Sequence, residues 1–162
     1  VLHGLPRGLA GAAELAGAVE WMTTLNRAAA EALRPFAPSA VTDVTGFGLL
    51  GHAYEMASRS GVRLCVDAAA LPALDGALEV VAAGEKTGGD RRNRDYAGPH
   101  VTIAEGVEPG WVTLAYDPQT AGGFLVAVAP ERAAVLEATF AAAGLFLQRI
   151  GEVEEGTGVL LR

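Results

Sequence analysis

The sequence predicts an α+β fold, an α/β sandwich in which helices pack on a mixed sheet. Helical segments alternate with short apolar strands along the 162 residues, and glycines or prolines separate most of them. Two polar glycine-bearing turns adjoin strands, the first glycine turn (residues 43–48) and the second glycine turn (residues 117–123). Because the order of strands and helices fixes no single topology, doubly wound and ferredoxin-like layouts both remain open.

The composition limits the classes of function. A chain of 162 residues suits one domain, and its single cysteine excludes an internal disulfide framework. The net charge of −7 argues against a nucleic-acid surface, which needs Lys and Arg to contact phosphates. No apolar run approaches the roughly 18 residues of a membrane-spanning helix, and no signal peptide is recognisable. We therefore expect a soluble cytoplasmic protein that binds neither nucleic acid nor membrane.

A long helix is predicted near the N-terminus, because apolar residues recur at helical spacing from Gly11 to Leu33 and alanines raise the helix propensity. Pro35 and Pro38 end it. Helix-closing glycines, a proline at a first helical position and short apolar runs define the remaining elements. In order, we predict a helix over 11–33, a strand over 40–42, a helix over 48–60, a strand over 62–66, a short helix to Ala83, a loop over 85–99, a strand over 100–103, a turn over 105–110, a strand over 124–128, a helix over 130–143, and strands over 146–150 and 159–161.

Finer expectations follow from the same signals. Gly61, Gly84 and Gly144 should close three helices, and Asp75 should cap the short helix. The last two strands should form a hairpin through residues 154–158. Side chains in apolar contexts are predicted to be buried, and these are Trp21, Met22, Met56, Cys65 and Trp111.

The first glycine turn is the candidate for chemistry. It follows a short strand and precedes a helix, so its backbone N–H groups converge at the positive end of a helix dipole, which suits phosphate. Asp43 places a negative charge in the same turn. A carboxylate and an anionic ligand can share a site when a hard cation lies between them. The turn therefore suggests a magnesium-bridged phosphate.

Three other interpretations of this turn are possible. Gly46 to Gly51 match the dinucleotide-binding pattern G-x-G-x-x-G, and Asp67 follows about 20 residues later. The short preceding strand, interrupted by Pro38, and the charge of Asp43 beside a pyrophosphate both argue against that pattern. No Gly-Lys-Ser/Thr follows, which excludes a Walker loop. A purely structural turn, in which Asp43 caps the helix, stays open.

Four stretches of the chain carry a more specific signature. They are T-D-V-T-G-F-G-L-L-G-H at 42–52, Met22 with Leu25 and Asn26, Gly88 and Gly89 with Asn93 and Tyr96, and D-P-Q-T-A-G-G at 117–123. Together they resemble the selenophosphate synthetases (selenide, water dikinases), in the C-terminal domain shared with the aminoimidazole ribonucleotide synthetase superfamily. Two positions depart from that family's pattern, since Asp90 replaces a threonine and Ala121 replaces a serine.

The resemblance implies a C-terminal domain whose full-length enzyme converts selenide, ATP and water into selenophosphate, AMP and phosphate as a homodimer. It implies that Asp43 is a ligand in a cluster of Mg²⁺ ions that bridges the ATP phosphates. Thr42, Thr45, Gly46 and Gly48 are the further candidates for nucleotide binding, through loop shape and N–H or hydroxyl donors. In such an enzyme the reactive residues and most of the nucleotide pocket lie in a preceding domain. No catalytic residue is therefore expected in this chain, and it should be inactive alone.

The remaining residues of the signature carry weaker expectations. His52 is predicted to pack or cap, and Asn93 with its neighbouring arginines either contacts substrate or lies in a solvated loop. Asp90 would place a repulsive carboxylate where the family has a hydroxyl. Within the chain, residues 1–38 are expected to form a leading helix and linker, and residues 39–162 the core. Another ATP-using synthetase or kinase of the superfamily, or a stand-alone module without chemistry, remains an alternative.

Overall fold

The computed structural model describes residues 1–162, which form seven α-helices and six short strands. The strands are β1 (Ala40–Asp43), β2 (Arg63–Val66), β3 (Val101–Ile103), β4 (Phe124–Ala127), β5 (Gly151–Glu154) and β6 (Gly158–Leu161). The helices are α1 (Ala12–Thr23), α2 (Arg27–Leu33), α3 (Gly48–Ser60), α4 (Ala77–Ala82), α5 (Gly88–Ala97), α6 (Pro109–Tyr116) and α7 (Pro130–Ala142). None of the helices is both long and apolar enough to cross a membrane.

The strands form two sheets. A four-stranded sheet has the order β3-β6-β2-β5, in which β5 is antiparallel to β2 and the other neighbours are parallel. Strands β1 and β4 form a separate antiparallel ribbon, with Asp43 opposite Phe124. The predicted α+β class with helices packed on a mixed sheet is confirmed. The sheet is divided, because β1 and β4 pair only with each other.

The predicted hairpin at the C-terminus is wrong. Strand β2 lies between β5 and β6, so the connection over residues 155–157 crosses the end of β2 at Arg63. Three extended residues can span the roughly 10 Å across two strand spacings. The predicted strand over 146–150 is also wrong, since β5 begins at Gly151. A Cβ on Gly151 would clash with the Cys65 carbonyl, so this close strand pairing requires glycine.

The predicted N-terminal helix is two helices. Helix α1 ends at Thr23, and α2 begins at Arg27. The hydroxyls of Thr23 and Thr24 donate to the Glu20 carbonyl at 3.2 and 2.7 Å, and the backbone of Thr24 is extended with ψ at 119°. Such side-chain bonds to the backbone compete with helix continuation. The break leaves Leu25 exposed.

The segment over 85–99, predicted to be a loop, contains helix α5 instead. Its buried residues are Asp90, Asn93 and Ala97, at the spacing of one helical face. Because two of the three are polar, the apolar periodicity that predicts helices was missing. Helix α6 was likewise not predicted, although Pro109 occupies a favoured first-turn position.

The ends of the other helices agree with the sequence in most cases. Gly61, at φ +66°, closes α3 by donating its N–H to the Ala57 carbonyl. Gly84 and Gly144 adopt the same left-handed conformation after their helices. Asp75 does not cap α4, because Gly76 occupies the N-cap without a side-chain hydrogen bond.

The main core lies between α3 and the four-stranded sheet. Leu50 and Ala53 from α3 and Leu161 from β6 are completely buried, and Met56 and Cys65 are buried as predicted. Trp111 packs against this core. Trp21 contradicts its prediction, since it is 48% exposed and contacts Phe146 edge-on at a ring distance of 5.5 Å. Met22 is half-buried.

A second cluster joins the N-terminal segment to the rest of the domain. Leu33 of α2 packs with Leu136 and Phe140 of α7, and all three are buried. Helix α2 is therefore part of the folded body, although it lies within the stretch expected to be a leading helix and linker.

Candidate functional site

The two glycine turns form one structure. Val44 donates its N–H to the Gly123 carbonyl at 2.9 Å, and Gly122 donates to the Val44 carbonyl at 2.9 Å. Gln119 donates to the Thr45 carbonyl at 3.0 Å. These bonds continue the pairing of β1 with β4, so the second glycine turn supports the first along one side.

Gly48 explains part of the glycine pattern. Its φ is +69°, and a Cβ at this position would lie 2.8 Å from the carbonyl carbon and oxygen of Tyr116. The start of α3 therefore approaches the end of α6 so closely that only glycine fits. Since β1 also pairs antiparallel with β4, the turn is not part of a parallel dinucleotide-binding unit. The rejection of that pattern from sequence is confirmed.

Asp43 lies at the end of β1 with its side chain exposed. Its carboxylate accepts no hydrogen bond and forms no ion pair within the chain. The N-cap of α3 is Phe47, without a side-chain cap bond, so the interpretation of Asp43 as a helix cap is wrong. The structure leaves this carboxylate available to a ligand.

The other predicted ligands do not share one position with Asp43. Thr42 points to the opposite side of the ribbon, because successive residues of a strand alternate. The hydroxyl of Thr45 lies 3.3 Å from Nε2 of His52. The carbonyl of Gly46 accepts a side-chain bond, and the N–H of Gly48 closes the turn on the Thr45 carbonyl at 3.0 Å. The roles of these four residues toward a nucleotide stay predictions.

Three backbone donors in the turn are free. The N–H groups of Thr45, Gly46 and Phe47 donate to no acceptor in the protein. Gly46 and Phe47 are exposed, and the three groups precede the 13-residue helix α3. Free donors at the positive end of a helix dipole favour an anion.

His52 packs beneath the turn, as predicted. It is buried, its ring tilts against Phe47 at 5.5 Å, and its Nδ1 lies 3.4 Å from Oε2 of Glu55. The hydroxyl of Thr45 faces its other ring nitrogen. The imidazole therefore connects the turn to α3 rather than facing solvent.

Helix α5 closes the turn from inside. Asn93 is 4% exposed and donates from Nδ2 to the carbonyls of Gly46 at 3.0 Å and Tyr116 at 2.8 Å. Neither sequence interpretation of Asn93 was right, because the residue lies neither in a solvated loop nor at an open surface. Its neighbours Arg91 and Arg92 are exposed.

Asp90 is also interior. Its Oδ2 accepts a bond from Nε of Arg94 at 2.9 Å, and the Arg94 guanidinium stacks over the Tyr116 ring at 4.7 Å. Arg94 also donates to the Thr113 hydroxyl at 3.2 Å. The departure from the family's threonine therefore creates a partly buried ion pair instead of a repulsive group facing a ligand.

A large cavity lies beside the second glycine turn rather than at Asp43. It is a groove of roughly 1100 Å³ between the N-terminal segment and the body of the domain, and most of its lining is apolar. All four signature stretches contribute to it, through Met22 and residues 24–26, 88–89 and 117–123, and through Val44 and Leu49 of the stretch at 42–52. Sequence reasoning missed this groove, because it forms only where these distant segments meet.

Asp117 borders this groove in a partly buried position. The Thr87 hydroxyl donates to its Oδ1 at 2.8 Å. Burial raises the pKa of Asp117, while the Thr87 hydrogen bond and the positive charges of the N-terminus and His3 oppose that rise.

Cys65 lies in β2, away from this groove. Burial raises the pKa of its thiol, so the nucleophilic thiolate form is less populated there.

The substitution Asp117→Asn is expected to stabilise the chain at neutral pH. A raised pKa means that the folded state favours the protonated form of Asp117. The protonated carboxyl therefore contributes stability below the usual aspartate pKa, about 3.9, and this contribution is lost as pH rises through the raised pKa. Asparagine keeps an oxygen that accepts from Thr87 and removes the charge. Urea unfolding at pH 7 and at pH 3 should show a gain at pH 7 that shrinks at pH 3. If Asp117→Asn is less stable than the wild type at both pH values, this account is contradicted. The control is Asp75→Asn, which changes an exposed carboxylate.

The chain alone offers few side chains that could ligate a metal ion. No group of three or more His, Cys, Asp or Glu side chains is arranged to hold a metal ion. Asp43 contributes one exposed carboxylate. This fits Mg²⁺, which keeps several waters and takes one or two protein carboxylates alongside phosphate oxygens.

Comparisons with known proteins agree with this architecture. A family model described as "AIR synthase related protein, C-terminal domain" matches residues 3–161. The selenide, water dikinase of Trichlorobacter lovleyi is 43% identical over 138 residues, which cover 85% of this chain and 40% of that protein. The selenide, water dikinase of Pseudomonas aeruginosa is 46% identical over 136 residues, 84% of this chain and 39% of that protein. The chain thus spans about two fifths of the length of these curated relatives.

Solved structures share the fold. The thiamine-monophosphate kinase of Stenotrophomonas maltophilia superposes with a TM-score of 0.52 at 25% identity, covering 80% of this chain and 32% of that one. The hydrogenase maturation protein HypE of E. coli gives a TM-score of 0.52 at 21% identity, covering 81% of this chain and 34% of that one. Because the family model matches nearly the whole chain, the chain belongs to the family of AIR synthase related protein C-terminal domains.

Proposed function

We propose that this chain is the C-terminal domain of a selenide, water dikinase, an enzyme that uses ATP to phosphorylate selenide and releases AMP and phosphate. The relatives with that name match most of this chain and are more than twice its length. A preceding ATP-binding domain would supply the reactive residues, and residues 39–162 would form the core of the present domain. The proposal extends to a cytoplasmic homodimer with ATP and selenide as substrates.

The observation that carries the proposal is the exposed, unpaired carboxylate of Asp43 beside three free backbone donors. Asp43 would hold Mg²⁺, and the N–H groups of Thr45, Gly46 and Phe47 would face phosphate oxygens. When bound, Mg²⁺ offsets the charge of the phosphates during phosphoryl transfer. Thr42 and Gly48 would act through the shape of the strand end and of the turn.

The arrangement also supports a metal site whose ligands come from two domains. A single carboxylate holds Mg²⁺ weakly, because the ion keeps most of its waters unless further ligands are present. The rest of the metal cluster would therefore come from the preceding domain. The isolated chain should bind ATP and Mg²⁺ weakly or not at all, and calorimetry that finds micromolar ATP binding would show that the pocket is misplaced.

The direct test uses the full-length protein with ATP, Mg²⁺ and selenide, followed by ³¹P NMR. We expect AMP, orthophosphate and a selenophosphate signal that all depend on selenide. Thiamine phosphate in place of selenide is the control and should give no product. Product formed from thiamine phosphate would indicate another activity of the superfamily. A folded protein that forms no selenide-dependent AMP would indicate either another activity or a non-catalytic role.

A further inference from the structure

Asn93 contacts the first glycine turn from the interior of the domain. Its side chain is 4% exposed, and its amide nitrogen donates to the carbonyls of Gly46 and Tyr116 at 3.0 and 2.8 Å. An asparagine amide has two N–H groups, so these two bonds use all of its donors. One side chain therefore ties the turn to the end of α6.

The Gly46 carbonyl depends on this bond. No backbone N–H donates to it, although it lies where the first turn of α3 begins. Val44 and Thr45 are held by the second glycine turn, whereas the N–H groups of Gly46 and Phe47 donate to no acceptor. The Asn93 bond is thus the hydrogen bond that fixes the middle of the turn.

The two bonds differ in their surroundings. The bond to the Tyr116 carbonyl is buried and stabilises the domain, whereas the bond to the Gly46 carbonyl is only part-buried and holds an exposed residue. The bond to Gly46 also gives the turn a fixed direction, because a buried donor sets the orientation of the peptide plane between Gly46 and Phe47. The close approach of Gly48 to Tyr116 occurs beside the same bond and leaves the turn little freedom on that side.

We propose that Asn93 is a positioning residue for the proposed reaction. It orients the Gly46 peptide so that the Asp43 carboxylate and the free N–H groups of residues 45–47 face one metal-bound phosphate. The ligand in this statement rests on the proposed function. The orientation of the turn by Asn93 rests only on the geometry of the domain.

The test compares Asn93→Leu with Thr113→Val. Leucine has the same branched heavy-atom skeleton without donors, and Thr113 is a buried neighbour of Arg94 whose hydroxyl does not contact the turn. In the full-length protein, Asn93→Leu should raise the half-saturating Mg²⁺ concentration about tenfold, the scale of one lost buried hydrogen bond, while Thr113→Val leaves it unchanged. Amide hydrogen exchange at Gly48 should accelerate about tenfold in Asn93→Leu only.

Each outcome decides the inference. In a folded Asn93→Leu protein, an unchanged Mg²⁺ dependence overturns it, and so does unchanged exchange at Gly48. An equal effect of Thr113→Val overturns it as well. If the leucine variant does not fold, Asn93→Ser is measured against the same criteria. A wild-type protein without selenide-dependent AMP formation would overturn the proposed function instead, and hydrogen exchange at Gly48 would then test Asn93 separately.

Discussion

Asp43→Asn in the full-length protein should lower selenide-dependent AMP formation by about 100-fold or more. The substitution keeps the size of the side chain and removes the charge that would hold Mg²⁺, and a metal ion contributes several kcal/mol of charge stabilisation to phosphoryl transfer. Both kcat and the half-saturating Mg²⁺ concentration should be measured. A weakened metal site lowers kcat and also raises the half-saturating Mg²⁺ concentration.

The stability of the same variant separates a functional role from a structural one. Asp43 is exposed and forms no hydrogen bond or ion pair, so Asp43→Asn should change the free energy of unfolding by no more than about 0.5 kcal/mol. Asp75→Asn, at another exposed carboxylate remote from the glycine turns in sequence, should affect neither quantity. Turnover near the wild-type level in Asp43→Asn would remove Asp43 from the mechanism.

Among the substitutions considered, Gly48→Ala should lower the free energy of unfolding most, by about 2 to 5 kcal/mol. A left-handed backbone costs an alanine about 1 to 2 kcal/mol, and overpacking adds about 1 to 3 kcal/mol. Here the added Cβ would lie 2.8 Å from the backbone of Tyr116, which cannot move as a flexible side chain could. Urea unfolding of the chain measures the effect, and a loss of this size is a large part of a typical domain's stability.

Gly61→Ala is the matched control for that prediction. Gly61 has nearly the same φ, +66°, but a Cβ there would meet no atom within 4 Å. Its cost should therefore be limited to the backbone term of about 1 to 2 kcal/mol. Equal losses in the two variants would show that the approach of α3 to α6 is not tight, and would weaken the account of the turn as a rigid structure.

Local features of this protein followed from local sequence. The helix over 48–60, its closure at Gly61 and the strand that ends near Asp43 were predicted because each depends on neighbouring residues, on periodicity or on a glycine conformation. The signature at 42–52 also indicated the family that the comparisons show. The burial of His52 agreed with its expected packing role.

The errors share a physical cause. Helix α5 was missed because its buried face carries Asp90 and Asn93, whose burial is compensated by Arg94 and by two distant carbonyls. The C-terminal hairpin failed because β2, which is remote in sequence, inserts between β5 and β6. In both cases the deciding partners lie far away along the chain.

The sequence by itself determined the α+β class, the position of Asp43 at a strand end before a glycine turn, and the family signature, because these depend on adjacent residues. Only the tertiary structure decided that the second glycine turn supports the first and that Asn93 holds Gly46 from inside. It also decided that Asp43 alone among the predicted ligands has an exposed side chain without a partner. Hydrogen bonds and close backbone approaches between distant segments leave no periodic pattern in the sequence, so they become visible only when those segments meet in space.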